Sequence, residues 1–151
     1  MNVVEVTQNK GAICAEILAT LPHWFGIAAS NAAYIRDSET MPMFAVFEGT
    51  KPLGFIALGR PTSSAVEIHV LGVRPELHRS GIGRALVERA EAFARAEGVP
   101  FLTVKTLSSR APDEGYARTR AFYTGMGFLP VDELPDLWDP QNPALIMLKI
   151  L

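Results

Sequence analysis

The strongest chemical signal in the chain lies where an apolar run gives way to a short basic loop with two glycines. Residues 66–73 end at Arg74-Pro75, a pair that stops a strand, and helical spacing follows the loop. Backbone amides at a helix start have no intrahelical partner and bind anions. The order of strand, glycine loop and helix therefore predicts an anion site. A glycine-containing turn before an ordinary helix explains the two glycines equally well.

The composition of this loop supports the anion hypothesis. His78, Arg79 and Arg84 add side-chain donors, and glycine lets the backbone approach a phosphate closely. The loop matches neither the P-loop pattern nor the Gly-x-Gly-x-x-Gly fingerprint of dinucleotide sites. The residues that we expect to hold the anion are His78, Arg79, Ser80, Gly81, Ile82, Gly83 and Arg84.

Two titratable side chains lie on the strand that leads into the loop. With the alternation of a strand, Glu67 and His69 share one face, while Val66, Ile68 and Val70 share the other. A glutamate in this place can accept a proton from an amine through a water molecule, and His69 beside it can contact the same substrate. The alternative is that both side chains simply face solvent.

The periodicity of the chain predicts a mixed α/β (α+β) fold. We expect strands at residues 3–6, 43–48, 53–60, 65–73, 101–107, 128–131 and 144–150, and helices at 10–20, 28–35, 84–97 and 116–126. Consecutive strands joined by turns form an antiparallel meander, whereas a strand, helix and strand in succession give a parallel pair. The sheet is therefore expected to be mostly antiparallel, with helices flanking it and a long loop at residues 132–143.

Composition narrows the classes of protein. The chain has 151 residues, 48% of them hydrophobic, which fits one domain over residues 1–151. A net charge of −2 gives no reason to expect nucleic acid or a membrane surface as a partner. Cys14 is alone, no signal-like start or long apolar run is present, and no cluster has metal-ligand spacing. We therefore expect a cytoplasmic protein without a metal.

Aromatic residues mark two further segments. Trp24 and Phe25 lie in a connection between two predicted helices, where they either pack the helices together or line a substrate cleft. Trp138 lies in the predicted long loop and could narrow the same cleft. The loop also carries acidic side chains that would suit a polycationic substrate, although such loops are usually only solvated: Asp132, Glu133, Asp136 and Asp139.

Two motifs resemble the GNAT superfamily of acetyl-CoA-dependent N-acetyltransferases. Residues 73–86 resemble its acyl-CoA loop, Gln/Arg-x-x-Gly-x-Gly/Ala after a strand, with His78 in the first position and Arg79 where glycine is common. Residues 121–128, Ala-Phe-Tyr-Thr-Gly-Met-Gly-Phe, resemble the late helix that reads Ala-x-x-Phe/Leu-Tyr-x-x-x-Gly-Phe. The chain is identified as a member because both motifs occur in the family's order.

The resemblance implies a site for acetyl-CoA. The two parallel strands would splay apart, with the pyrophosphate on the amides of residues 79–84 and the pantetheine arm against the backbone of Leu71 and Val73. Tyr123 would protonate the leaving thiolate, unless it is only a packed core tyrosine, and Glu67 would serve as the base. Tyr116 stands where the family often has asparagine. Three arginines would meet the distal phosphate or stay in solvent: Arg110, Arg118 and Arg120.

The expected function is acetylation of a primary amine on a small molecule. Acetylation of a protein or peptide is the nearest alternative, and a non-catalytic acyl-CoA-binding module is the second. A peptide acetylase would need an open groove, whereas Trp24, Phe25 or Trp138 would narrow the cleft of a small-amine enzyme. A homodimer is a further arrangement that the sequence allows.

Overall fold

The computed structural model describes residues 1–151 and contains four α-helices and seven strands. The helices are α1 (Lys10–Ala19), α2 (Ala28–Ser38), α3 (Ile82–Ala96) and α4 (Glu114–Gly125). The strands are β1 (Val3–Val6), β2 (Met43–Glu48), β3 (Lys51–Thr62), β4 (Ala65–Val73), β5 (Phe101–Leu107), β6 (Leu129–Asp139) and β7 (Asn142–Ile150). A short 3₁₀ helix, Pro75–Leu77, lies between β4 and α3.

All seven strands form one mixed sheet. Their order is β1-β2-β3-β4-β5-β7-β6, and β4 with β5 is the parallel pair in an otherwise antiparallel sheet. The predicted mostly antiparallel α/β fold is therefore confirmed. Because β4 and β5 are parallel, the chain between them must return over one face of the sheet. Helix α3 forms this crossover.

Helices cover both faces of the sheet. One hydrophobic cluster joins α3 and α4 to the sheet, and its fully buried members include Leu86, Leu102 and Phe128. The second cluster joins α1 to the other face through Cys14, Ile17 and Leu18. Burial of each large side chain stabilises the fold by about 1.5–3 kcal/mol, so the two layers fix β4 and β5 from both sides.

A bulge in β4 breaks the alternation that the sequence predicts. Leu58 of β3 pairs with Ile68 while the neighbouring Ala57 pairs with Val70, which leaves His69 without a partner on β3. Val66 and Ile68 accordingly pack toward α3, but Val70 packs in the cluster of α1. The expectation that Val70 shares a face with Val66 is wrong, because one extra residue reverses the phase of a strand.

The prediction of a long loop at residues 132–143 is also wrong. Most of it belongs to β6, which pairs with β7 and forms an edge of the sheet. Three prolines suggested the loop: Pro135, Pro140 and Pro143. Pro135 lies within β6, and an edge strand tolerates proline because one side of its backbone needs no ladder bonds. Two register shifts, after Pro130 and after Leu134, accommodate the irregular stretch.

No helix of the structure combines the length and the apolar character that crossing a membrane would require.

Candidate active site

The parallel strands β4 and β5 separate toward their C-terminal ends. Their pairing runs from Ala65↔Phe101 to Ile68↔Val104 and stops there, although β4 continues to Val73 and β5 to Leu107. From His69 onward, the β5-facing edge of β4 therefore has no neighbouring strand. A gap of this kind at the carboxyl ends of strands is the usual place for a ligand in sheets with such crossovers.

The basic loop places the start of α3 beside this gap. Arg79 and Gly81 both adopt the left-handed conformation, with φ of 65° and 93°, and α3 begins at Ile82. No side chain caps the helix, so its first amides remain available for an anion. The side chain of Ile82 is buried in the core, and only its backbone can take part.

Two loop residues have partners that the sequence does not reveal. The Nε2 atom of His78 lies 2.8 Å from the carbonyl oxygen of Val73, so its ring braces the end of β4. A Cβ atom on Gly83 would lie 3.3 Å from the ring of Phe122 in α4. The small size of Gly83 therefore allows α3 and α4 to approach, in addition to any contact with a ligand.

A polar cluster lies on the α2 side of the sheet where the strands part. Lys105 donates to a carboxylate oxygen of Glu67 across 2.5 Å, joining β5 to β4. His69 Nε2 lies 3.0 Å from Asp37 Oδ2 of α2. The ring of Tyr34 packs edge-on against His69, with 5.4 Å between centroids. Burial raises the pKa of Tyr34, and the negative charges of Glu67 and Asp37 raise it further.

Sequence reasoning found Glu67 and His69 in this cluster but not Asp37, Tyr34 or Lys105. The sequence pattern places Lys105 in a strand, but only the β4–β5 register brings this lysine next to Glu67. The two α2 residues depend on how that helix packs across the sheet. No local pattern in the sequence carries either piece of information.

Tyr123 lies in the hydrophobic cluster that joins α3 and α4 to the sheet. Its ring packs between Phe122 and Phe128, at centroid distances of 5.2 and 5.3 Å, and the residue is 4% exposed. Burial raises the pKa of its phenol well above the usual value, with a smaller contribution from Tyr116. The phenol therefore stays protonated at neutral pH, which is the form that a proton donor needs.

The connection between α1 and α2, residues 20–27, crosses from the basic loop to α4. The hydroxyl of Tyr116 donates to the carbonyl oxygen of Trp24 across 2.8 Å. His23 Nε2 lies 3.1 Å from Asp113 Oδ1, at the cap of α4, and Trp24 packs edge-on against His78 with 5.4 Å between centroids. Burial raises the pKa of Tyr116 to about 12. We call residues 20–27 the strap.

The other predicted site residues divide between the strap and the far edge of the sheet. The ring of Phe25 contacts Tyr34, so it lies near the polar cluster. Trp138 lies on the edge strand β6, and 46% of it is exposed. Arg120 donates to the carbonyl oxygen of Leu107, whereas Arg110 pairs with Glu133 on β6. The last pair shows that the acidic β6 residues are partly engaged within the chain.

Comparison with known proteins assigns the family. The model of the acetyltransferase (GNAT) family matches residues 13–128, and the chain belongs to this family. The resemblance drawn from the two motifs is thereby confirmed.

One relative by sequence agrees with the family assignment. The chain is 39% identical over 71 residues to a mycothiol acetyltransferase from Beutenbergia cavernae, a match that covers 47% of this chain and 22% of that protein. The chain thus spans about a fifth of the length of this relative.

Solved structures share the fold over almost the entire chain. A protein assigned to the GNAT family from Desulfovibrio desulfuricans superposes with a TM-score of 0.84 at 18% identity, covering 99% of both chains. An aminoglycoside 6'-N-acetyltransferase complexed with coenzyme A gives 0.78 at 19% identity, covering 99% of this chain and 97% of the other. At these identities the likeness establishes the fold.

Proposed function

We propose that this protein is an N-acetyltransferase that moves an acetyl group from acetyl-CoA to a primary amine of a small molecule. The single observation that carries the choice of acceptor is the strap. It is bonded to α4 through Tyr116 and packs on His78 of the basic loop, and so spans both sides of the splayed strands. A cleft bounded by the strap would suit a small acceptor better than an extended chain.

The residues beside the splay fit acetyl-CoA as the donor. The uncapped first turn of α3 and the left-handed Arg79 and Gly81 form a cradle of amides suited to a pyrophosphate. From His69 onward β4 has no strand neighbour on this side, so the backbone of Leu71 and the amide of Val73 are left for an extended arm, whereas the carbonyl oxygen of Val73 is already bonded to His78. When bound there, acetyl-CoA would supply an activated acetyl thioester. A coenzyme A complex of a structural neighbour supports the same donor.

The polar cluster supplies what amine acetylation needs on the acceptor side. The amine must lose a proton before it attacks, and Glu67 is our candidate for the group that accepts it. Glu67 and Asp37 together would attract an ammonium ion to the place where the strands part. His69 and Phe25 would line the approach to Glu67, because both contact Tyr34 there.

Tyr123 is our candidate for the proton donor to the departing sulfur. Its hydroxyl carries a proton at neutral pH because burial disfavours the phenolate. A buried donor also excludes competing water from the leaving thiolate. The same burial suits a purely structural tyrosine, so activity measurements must separate the two roles.

Names of similar proteins agree with a small acceptor. The relatives described above are named for mycothiol and for an aminoglycoside rather than for a protein acceptor. Peptide acetylation is the competing reading, and an acyl-CoA-binding module without turnover is the other. The acidic residues of β6 favour neither alternative, because Glu133 is already paired with Arg110.

The test combines binding with turnover. Acetyl-CoA should raise the melting temperature of the protein, and release of free thiol should follow when a panel of small primary amines is added. Peptides with a free N-terminus or a lysine serve as the comparison. Thiol release with peptides alone would overturn the choice of acceptor. Stabilisation by acetyl-CoA without turnover on any amine or peptide would favour the binding module.

A further inference from the structure

The chain carries four lysines, and their surroundings differ in an informative way. Lys10 donates to the carbonyl oxygen of Met41, and Lys51 lies exposed at the start of β3. Lys149 and Lys105 each donate to a glutamate, Glu91 at 2.6 Å and Glu67 at 2.5 Å. The two ion pairs have nearly the same length but lie in different places.

Only Lys105 lies where the parallel strands part. It follows directly after Val104, the last β5 residue that pairs with β4, and its partner Glu67 comes from the last paired stretch of β4. Lys149 instead lies on β7 and pairs with α3 on the other layer of the molecule. The side chain of Lys105 is 36% exposed, so its primary amine is accessible at the point where the strands part.

We propose that Lys105 is a self-acetylation site, which takes the acetyl group of acetyl-CoA in the same cleft. The inference rests on the proposed function, because it uses the same donor site and the same base. Its basis is geometric: the group that we assign to deprotonate the acceptor already holds an amine of the chain itself. Lys105 therefore occupies the position that an external ammonium ion would take on Glu67.

The reaction balances without a further reagent. The Lys105 nitrogen attacks the carbonyl carbon of the thioester, an N–C bond forms and the C–S bond breaks. The nitrogen loses two protons on passing from ammonium to amide. One goes to Glu67 and from there to water, and the other goes to the departing sulfur, for which Tyr123 is the proposed donor. The products are an acetylated Lys105 and free coenzyme A.

Acetylation at this position would change the site. An acetylated lysine carries no charge, so Glu67 would lose its ammonium partner and become available to an external amine. Electrostatic attraction at close range in a partly buried site is much stronger than in water, so removal of the internal cation matters there. The proposed modification thus adjusts the acceptor site of the enzyme that makes it.

The experiment incubates the purified full chain with acetyl-CoA that carries an isotopically labelled acetyl group. Mass spectrometry of peptides then follows each lysine separately. We expect labelling of Lys105 to be at least about tenfold faster than that of Lys149, its matched ion-paired control. The rate constant should not depend on protein concentration. Glu67→Gln should slow the labelling of Lys105 by about 10²-fold and leave the rate at Lys149 unchanged.

The outcomes separate this inference from the proposed function. Melting temperature and thiol release with external amines are measured on the same preparation. Binding and turnover with no preference for Lys105 over Lys149 would overturn the inference and leave the proposed function standing. A rate that rises in proportion to protein concentration would also overturn it, because one copy would then be modifying another. Failure of acetyl-CoA to bind at all would overturn the proposed function itself.

Discussion

His69 of β4 and Asp37 of α2 are joined by a hydrogen bond of 3.0 Å at the residue where β4 bulges. The contact fixes the imidazole against the helix, whereas Glu67 is bonded to Lys105 of β5. Two titratable groups on one short stretch of strand thus have separate partners. This division lets their roles be tested independently.

We predict that Glu67, and not His69, controls the pH dependence of turnover. Glu67→Gln should lower kcat/KM near neutral pH by about 10²-fold, because the amine then loses its proton acceptor. The rate should recover as the pH rises and free amine accumulates. His69→Gln should have a much smaller effect over the same range. The measurement is a profile of kcat/KM against pH for both variants with one amine.

A reversal of the two profiles would contradict this assignment. The pair of His69 and Asp37 would then be the base, since a carboxylate that orients an imidazole is a common arrangement for proton transfer. Asp37→Asn provides the check, because it would copy the loss caused by His69→Gln only in that case.

We predict that Tyr123→Phe lowers kcat by about 10²–10⁴-fold and leaves the affinity for acetyl-CoA nearly unchanged, because the hydroxyl acts only when the thiolate forms. The raised pKa of Tyr123 gives the sign of the pH effect. An acid with a raised pKa keeps its proton at higher pH, so kcat of the wild type should not decline as the pH approaches the ordinary tyrosine value of about 10. Steady-state kinetics over this range provide the measurement.

Phe122 offers a control for the packing around Tyr123. Phe122→Leu removes an aromatic contact of the same ring without touching its hydroxyl. Because Tyr123→Phe keeps the ring, an unchanged kcat in Tyr123→Phe together with a reduced kcat in Phe122→Leu would assign Tyr123 to packing alone.

We predict that Gly81→Asp abolishes the stabilisation of the protein by acetyl-CoA. The change places a negative charge at the start of α3, where the proposed pyrophosphate would rest. Gly98→Asp is the matched control, because Gly98 lies just beyond the other end of α3, also has a positive φ, and has no atom within 4 Å of an added Cβ. Thermal shifts with and without acetyl-CoA compare the variants. Equal binding of acetyl-CoA by Gly81→Asp and Gly98→Asp would show that the basic loop does not bind the pyrophosphate.

The sequence predicted those parts of the fold that depend on local pattern. The stop at Arg74-Pro75, the glycines of the basic loop and the spacing of α3 are all short-range signals, and the order of strands and helices follows from them. The bulge at His69 was not predictable, because it depends on how β3 and β4 pair rather than on the residues of β4 alone. Edge position explains why Pro135 of β6 misled the prediction, since a strand without a neighbour on one side tolerates proline.

The residues of the candidate site also fall into those that local motifs predict and those that depend on tertiary packing. Motifs pointed to Glu67 and Tyr123, but the partners Lys105 and Asp37 come from β5 and α2 and depend on tertiary packing. Gly83 shows that a motif residue can have a second reason for its identity, the approach of Phe122.

The last prediction concerns the strap. Tyr116→Phe removes the hydrogen bond to the carbonyl oxygen of Trp24 and so loosens the strap from α4. A hydrogen bond contributes about 1 kcal/mol, so KM for a small amine should rise about fivefold while kcat changes little. Turnover of a peptide acceptor should increase, because the cleft opens. Thr119→Val is the matched control on α4, since its hydroxyl bonds only to Gly115 of the same helix. If the strap does not set acceptor size, Tyr116→Phe would leave KM for the small amine and turnover of the peptide unchanged. The preference for small amines would then need another origin.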